Sequence, residues 1–390
     1  MVYRVKNCKI IGADPLLNTK NGLLFSVNDG HSRIINALPT DEKVIDIDGR
    51  GGLLLPAFTD IGCHYYDPKN ESRDSLITAS ASANAGGYRR LVTFDKESCV
   101  LNDSRIIAAK SVKNGIDGGG IYFGRYGDIP SDKLLSTFNE IKENGGLYIS
   151  AGIDETNAIG GFACGSASKM TNTSGITRFD ECAELGRELF AAYESGCAIH
   201  VTAISCSEAL EIIKTAKKSG VKVTCGVSPF HLALCENDVA FYGAMCKLLP
   251  PLRSKSDREA LKKGVLDGSI DCICTLHTPH SKNERGTSAK DSPYGLCSFE
   301  TALPVVLTYL PELLERDSER LAELFSVTPS RIIGENYTLS EGKQADFVII
   351  DPLRELVISE NTLKSKSCNT PFLGQTLNGC YPRLFIDGRE

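Results

Sequence analysis

Few residues in this sequence have the types and the spacing that metal or hydrolytic chemistry requires. Histidine is a common ligand of catalytic zinc, and six histidines occur in 390 residues. Cys63 adjoins His64, but neighbouring side chains of a strand point to opposite faces, so these two do not chelate one ion. His277 and His280 are three residues apart and could form a site with His64. That would be a novel mononuclear site; a histidine at a strand end is more often a hydrogen-bonded structural residue, and we favour this second role.

The chain contains fifteen cysteines, and many of them lie inside apolar runs. A thiol in such a run packs as a small apolar group. The odd number, together with N-terminal residues that lack the apolar core of a secretory signal, argues against a disulfide framework. We interpret the thiols as structural, including Cys272 and Cys274, which share one face of a predicted strand.

The composition excludes several classes of protein. With 42% hydrophobic and 24% charged residues the chain is not a disordered one. The formal net charge is -6, and no basic patch is visible that could neutralise phosphates. No apolar run reaches the roughly 20 residues that span a bilayer. We expect a cytoplasmic protein that binds neither nucleic acid nor a membrane.

The elements that must position the histidines follow a repeating pattern. Between residues 53 and 334, apolar strand-like runs alternate with stretches of helical periodicity, among them a predicted helix at 104–115. Strands that are apolar throughout are buried on both faces of a parallel sheet. Seven or eight such units predict an α/β fold, a TIM-like (β/α)8 barrel. Residues 1–52 and 335–390 read as strands and turns, which predicts a small β-sandwich lobe built from both chain ends.

Six blocks of the sequence stand out together. They are LPAFTDIGCHYYDP (55–68), SPFHLAL (228–234), KLLPPLRSKSDREALKKGVLDGSIDCICTLHTPH (247–280), PYGLCSFETALP (293–304), GKQADFVIID (342–351) and TPFLGQTLNG (370–379). In this order they resemble the dihydroorotase family of the amidohydrolase superfamily. The resemblance implies a β/α barrel with a flanking β lobe, two zinc ions at the carboxyl ends of the strands, and opening or closing of the dihydroorotate ring in pyrimidine biosynthesis. Fold membership does not by itself transfer chemistry.

The resemblance also implies where the zinc ligands should stand, and most of those positions carry other residues. The first strand of the family supplies two histidines spaced by one residue, which here are Gly62 and His64. The bridging acidic or carboxylated-lysine ligand would fall at Arg125 and Tyr126, and a guanidinium there would repel a dication. The histidine of the following strand falls at about Ser150, and serine is a poor zinc ligand.

The remaining positions show the same pattern. The family reads His-x-x-His where this chain runs from His200 to Ala203, so the ligand position is alanine. Leu276 replaces the aspartate that binds metal and carries the proton between water and the leaving nitrogen. Tyr66 stands where a substrate-binding arginine is expected. Asp60 is retained, either to orient a ligand histidine or to hydrogen-bond the barrel backbone, and we favour the second role.

These substitutions favour the hypothesis of a dihydroorotase-like protein without the binuclear centre, inactive as an enzyme and with a structural role. No cofactor is then expected. In this family some inactive members associate with aspartate carbamoyltransferase, which makes that enzyme, or a second copy of this chain, the expected partner.

Two alternatives remain open. In the first, a rebuilt metal-free or mononuclear site acts on an anionic small molecule. In the second, a conventional dihydroorotase or hydantoinase-type enzyme binds zinc through ligands at other positions, although six histidines do not reproduce the family spacing under any shift. The rebuilt cleft would be lined by His64, Tyr66, Arg125, Tyr126, His277 and His280.

Overall fold

The computed structural model describes residues 1–17, 19, 22–40, 42–94, 105–125, 127–153, 161–285 and 288–390. The strands are, in chain order, β1 (Val2–Lys6), β2 (Lys9–Ile10), β3 (Leu23–Asn28), β4 (His31–Ile35), β5 (Val44–Asp48), β6 (Leu53–Pro56), β7 (Phe58–Cys63), β8 (Tyr88–Thr93), β9 (Ile106–Ala108), β10 (Lys110–Ser111), β11 (Ile121–Gly124), β12 (Leu147–Ser150), β13 (Phe162–Ala163), β14 (Gly175–Ile176), β15 (Ala198–Val201), β16 (Val223–Val227), β17 (Cys272–Ile273), β18 (Phe347–Ile350), β19 (Glu355–Val357), β20 (Thr376–Asn378) and β21 (Arg383–Phe385).

The helices lie mainly between the parallel strands. No helix within the described residues is long and apolar enough to cross a membrane. The α-helices are α1 (Leu76–Ala85), α2 (Leu134–Glu143), α3 (Ser166–Thr171), α4 (Arg178–Ser195), α5 (Ser207–Lys218), α6 (Pro229–Ala233), α7 (Val239–Tyr242), α8 (Lys255–Asp267), α9 (Ala302–Tyr309), α10 (Glu312–Arg316), α11 (Glu319–Ala322) and α12 (Thr328–Ile332), with a π-helical turn at Glu323–Val327 and 3-10 turns at Val112–Asn114, Glu236–Asp238 and Gly243–Cys246.

The parallel strands form the predicted barrel. Strands β7, β8 and β9 pair in that order, and β10, β11, β12, β15, β16 and β17 continue the series. Only Ala109 separates β9 from β10, so the two segments are halves of one strand and the barrel has eight. Every pairing among them is parallel, and most of their residues are buried. The (β/α)8 prediction is confirmed, since the carboxyl ends of all eight strands meet at one face.

The helix predicted at 104–115 is wrong over its described part, because residues 106–111 are extended. Leu91 and Val92 of β8 pair with Ile106 and Ile107. Two consecutive β-branched side chains suit a strand, and these pairings supply backbone hydrogen bonds that outweigh the helical propensity of the Ala-Ala-Lys run. Because these residues form the third barrel strand, each later strand is one position further along the barrel than the sequence pattern suggested.

A buried carboxylate joins the first barrel strand to the end of the last. Asp60 of β7 accepts hydrogen bonds from the backbone N–H of Thr275 at 2.7 Å and from its hydroxyl at 2.6 Å. A second contact joins the same two strands, since the His64 N–H donates to the carbonyl oxygen of His277 at 2.8 Å. Burial raises the pKa of Asp60 to about 7, and the hydrogen bonds from Thr275 oppose the rise. Asp60 thus hydrogen-bonds the barrel backbone, which is the role that we favoured for it.

Both chain ends contribute to a lobe of two four-stranded sheets, with the orders β4-β3-β1-β5 and β2-β6-β18-β21. Strand β6 (Leu53–Pro56) pairs with β2 and β18, so the lobe extends four residues past the expected boundary at residue 52. Strands β19 and β20 pair with each other rather than joining either lobe sheet, and β20 contacts α9. Apolar side chains of both sheets pack together in the lobe, among them Val5, Phe25, Leu54 and Phe347.

Candidate functional site

A cavity of about 260 Å³ lies at the carboxyl ends of the barrel strands, where barrel enzymes place their active sites. Residues from the ends of six barrel strands line it, together with residues of three loops. The lining residues are Gly62, His64, Phe94, Phe123, Arg125, Ala151, Ile153, Thr202, Ala203, Leu248, Leu249, Pro250, Leu276, Thr278, Tyr294 and Gly295.

The structure brings several sequence-predicted residues together here. His64, Arg125, Ala203 and Leu276 come from four different strand ends and line the same cavity. A smaller cavity of about 220 Å³ adjoins it at His64 and is lined by Tyr66 and His280, among others. Tyr126 lies outside the described residues.

Asp60 and His277 were expected to line the cleft, but both are fully buried and border neither cavity. The His277 Nδ1 accepts hydrogen bonds from the backbone N–H groups of Ser298 at 3.1 Å and Phe299 at 3.3 Å. Its ring stacks on that of Phe299 with 3.8 Å between centroids. Burial lowers the pKa of His277 to about 3, so its imidazole is neutral at pH 7 and helps to anchor the end of the last strand.

Ser150 also departs from the expectation. Its hydroxyl donates to Glu188 of α4 and accepts from the Gly152 N–H at 2.8 Å, so the side chain is directed away from the cavity. The next residue, Ala151, lines the cavity instead. Successive strand residues point in opposite directions, and an assignment that is one residue off therefore selects the wrong side chain. The relevant position carries alanine, which offers no ligand atom.

Gly62 shows why one expected histidine position holds no side chain. A Cβ atom at this residue would lie 2.4 Å from the Thr202 Cγ2 and 3.2 Å from the Phe94 Cζ. The backbone has φ = 124°, which L side chains rarely adopt, and the pairing register with β8 shifts between Ile61 and Cys63. The space next to this strand end is therefore filled by neighbouring side chains.

Aromatic and aliphatic side chains occupy much of the cavity wall. Phe94 stacks on Phe123 with 3.7 Å between centroids, and the His64 ring meets Phe94 edge to face at 5.9 Å. Leu276 has φ = 50°, a left-handed conformation that is unusual for a bulky residue. The sequence analysis missed the stacked pair, because 29 residues separate its members and no local pattern signals the contact.

The polar groups of the cavity do not fit the family's two zinc ions. Among the described lining residues, His64 alone is of a type that commonly ligates zinc. Ala151, Ala203 and Leu276 offer no donor, and the guanidinium of Arg125 is a permanent cation that would oppose bound metal. No carboxylate is among the described lining residues, so this part of the chain offers no acidic ligand for a cation in the cavity.

We predict that Gly62→Ala lowers the free energy of unfolding more than Gly115→Ala does. Both glycines have positive φ, but a Cβ at Gly115 would meet nothing within 4 Å. The control therefore carries the backbone cost of about 1–2 kcal/mol, and Gly62→Ala adds an overpacking cost of about 1–3 kcal/mol. Urea unfolding of the two variants measures the difference. Equal losses would show that Thr202 and Phe94 do not fill this space.

Comparisons with known proteins give a consistent picture. No family model matches the chain. It is 32% identical over 378 residues to the dihydroorotase of Bacillus subtilis strain 168, with 87% of each protein covered. It is 29% identical over 423 residues to the dihydroorotase of Deinococcus radiodurans, with 100% of this chain and 99% of the relative covered.

Among solved structures, an L-hydantoinase (dihydropyrimidinase) from Arthrobacter aurescens matches with a TM-score of 0.82 and 22% identity, covering 99% of this chain and 95% of that protein. A D-hydantoinase from a Thermus species matches with a TM-score of 0.80 and 20% identity, covering 99% and 94%. These likenesses support the barrel with its flanking lobe. The sequence identity to curated relatives over most of the chain goes further, and it shows that the chain belongs to the dihydroorotase family of the amidohydrolase superfamily.

Proposed function

We propose that this chain is a non-catalytic member of the dihydroorotase family with a structural role. The observation that carries the proposal is the filling of the Gly62 position by Thr202 and Phe94, at a backbone φ of 124°. A histidine cannot be accommodated there without moving two neighbouring side chains. The first strand end is thus left with one imidazole, that of His64.

The chemistry of the reaction explains why this matters. Hydrolysis of an unactivated cyclic amide at neutral pH needs a hydroxide, which a bound divalent metal supplies by lowering the pKa of its water. It also needs a group that passes a proton to the leaving nitrogen. In the described cavity, Leu276 occupies the position of that group, and alkyl chains or Arg125 occupy those of the metal ligands.

We predict no dihydroorotase turnover by the purified chain in the presence of zinc or manganese. Loss of the general acid-base alone lowers such rates by about 10²- to 10⁴-fold, so activity should fall at least that far below the Bacillus subtilis relative assayed in parallel. Ring opening at an ordinary enzymatic rate, abolished by a chelator, would contradict the proposal and restore the conventional-enzyme alternative.

Helix α4 supports a role in association. It buries four acidic residues together with apolar ones such as Leu185 and Leu189; the acidic residues are Asp180, Glu181, Glu184 and Glu188. Its outer face exposes Phe179 and Phe190, each about three-quarters accessible. Large exposed aromatic side chains that share a surface are typical of binding sites for other proteins.

A groove of about 520 Å³ between α4 and α5 continues this surface. Leu189, Phe190 and Tyr193 line one side, and Ile212 and Ala216 line the other. We propose aspartate carbamoyltransferase as the first partner to test, because inactive members of this family are expected to associate with it, and a second copy of this chain as the alternative.

We predict that Phe190→Ser weakens co-purification with the carbamoyltransferase of the same organism at least tenfold, because truncation of a buried aromatic anchor at an interface costs about 2 kcal/mol or more. Phe241→Ser is the matched control, since Phe241 is 84% exposed on α7 and does not line this groove. Unchanged binding by Phe190→Ser would remove the α4 surface from the proposal, and no contact by the wild-type chain would remove this partner.

The presence of a guanidinium in the cavity wall favours a second candidate, a binding site for a small carboxylate. Arg125 and His64 both line the cavity. A guanidinium binds a carboxylate through charge-assisted hydrogen bonds. Such a ligand could regulate the protein without being turned over.

We predict that dihydroorotate, used as the probe, binds the wild-type chain and that Arg125→Gln weakens binding at least tenfold, as the loss of a charge-assisted hydrogen bond implies. Arg33→Gln, an exposed position on lobe strand β4, should leave the affinity unchanged. Isothermal titration calorimetry measures both variants. Equal affinities, or no binding by the wild-type chain, would exclude the carboxylate site.

A further inference from the structure

Three buried side chains with metal-binding atoms meet inside the barrel, beneath the cavity. His200 of β15, Cys272 of β17 and Cys274, which follows that strand, are each fully buried, and one ligand atom of each lies within 4.8 Å of the others. The sequence analysis treated both thiols as packing groups. Strand alternation did place the two sulfurs on one face, but nothing local indicated that His200, 72 residues earlier, faces them.

Barrel geometry explains the meeting. β15 and β17 are the sixth and eighth strands, and side chains of alternate strands share a layer in the interior of such a barrel. The strand between them, β16, contributes Gly226 at this level, paired with Cys272. A Cβ on Gly226 would lie 2.4 Å from the Cys274 sulfur. Because Gly226 has no side chain, the Cys274 sulfur can occupy this position.

The separations match those of a tetrahedral zinc site. The two sulfurs are 3.7 Å apart, and the His200 Nε2 is 3.6 Å from the Cys274 Sγ and 4.0 Å from the Cys272 Sγ. Zn–S bonds of about 2.3 Å and Zn–N bonds of about 2.0–2.1 Å at tetrahedral angles give about 3.8 Å between sulfurs and about 3.6 Å from sulfur to nitrogen. One sulfur-to-nitrogen distance therefore has to shorten by a few tenths of an ångström.

The imidazole is also oriented for ligation. The His200 Nδ1 lies 2.9 Å from the Thr224 hydroxyl. When Nδ1 donates to that oxygen, Nε2 presents its lone pair to the sulfurs. A hydrogen bond on the far nitrogen is the usual way in which proteins fix the tautomer and the ring angle of a metal-bound histidine.

Charge favours a divalent ion that binds sulfur well. Apolar side chains pack around the cluster, among them Ile61, Val92 and Ile149, and the buried carboxyl group of Asp60 lies near enough to raise the pKa of Cys274. Two thiolates, a neutral imidazole and Zn²⁺ sum to zero, so the complex places no net charge in this interior. The contact with Cys274 and the facing His200 lower the pKa of Cys272, whereas burial and the same contact raise the pKa of Cys274. The ion therefore has to displace the proton of Cys274.

We propose that His200, Cys272 and Cys274 form a structural binding site for one thiophilic divalent cation, with zinc the best fit. A water or backbone oxygen completes the tetrahedron. Binding displaces the thiol proton of Cys274, so one proton is released for each ion bound. The ion ties the sixth barrel strand to the eighth and takes no part in the cavity above, so this site is independent of the function proposed for that cavity.

Metal content per chain tests the site directly. The wild-type chain is unfolded in denaturant with a reductant and a chelator, refolded with one to two equivalents of zinc, and passed over a desalting column. Refolding is used because a closed barrel interior gives a folded apoprotein no open route for the ion. We expect about one zinc per wild-type chain and less than a tenth of that in Cys274→Ala and Cys272→Ser.

Two controls locate the ion. Cys225→Ser removes a buried thiol on β16 whose sulfur lies 3.8 Å from the Ser269 carbonyl oxygen, outside the cluster, and should retain the zinc. His64→Ala should also retain it. Loss of the ion in His64→Ala but not in Cys274→Ala would place the metal in the cavity, which overturns this inference and counts against the non-catalytic proposal as well.

Cobalt provides a readout on the wild-type chain alone, so it does not depend on whether the variants fold. Wild-type chain refolded with Co²⁺ should show an intense thiolate-to-metal charge-transfer band and the visible spectrum of a tetrahedral ion. The inference is overturned if the refolded wild-type chain holds less than a tenth of an ion, if the charge-transfer band is missing, or if mass spectrometry finds Cys272 and Cys274 joined as a disulfide in the chain purified without reductant.

Discussion

The hydrogen bonds from Thr275 to the buried carboxylate of Asp60 close the barrel, and the geometry of its mouth depends on that closure. The two strands joined there carry Gly62 and His64 on one side and Leu276 on the other. Burying a carboxyl group is unfavourable, as the raised pKa of Asp60 reflects. The group is nevertheless held by two short hydrogen bonds from one residue, so a polar contact supplies alignment that apolar packing alone would leave less specific.

The barrel and the chemistry of its mouth are physically separable. Side chains at the strand ends line the cavity, and residues such as Ala203 and Leu276 stand there, at positions that the family resemblance assigns to ligands, in a barrel of the family fold. What changes is the content of the cavity, where stacked Phe94 and Phe123 occupy wall area that a metal centre would leave to water and donor atoms. A family fold can therefore persist with a cavity of quite different character.

Much of the architecture followed from sequence because it rests on repeating local signals. Strands such as β12 and β15 are buried on both faces, and α4 and α5 occupy two of the stretches that alternate with strand-like runs. The predictions were wrong where the conformation of a residue depends on contacts with residues distant in the sequence. Residues 106–111 are extended because they pair with β8 and β11. One step along the chain separates Ser150, which bonds Glu188, from Ala151, which faces the cavity. The approach of His200 to two thiols requires the closed barrel and has no local signature.

The backbone at Leu276 has one further consequence. Its left-handed φ of 50° is a shape in which Asn, Asp and Gly are enriched and a branched aliphatic residue is strained, by about 1 kcal/mol or more. The main chain at the rim thus has a form that suits a short acidic residue, the type that the family resemblance implies at this position, better than it suits leucine. Substitutions that raise thermal stability are accordingly expected at the mouth of the barrel before they are expected in its well-packed interior.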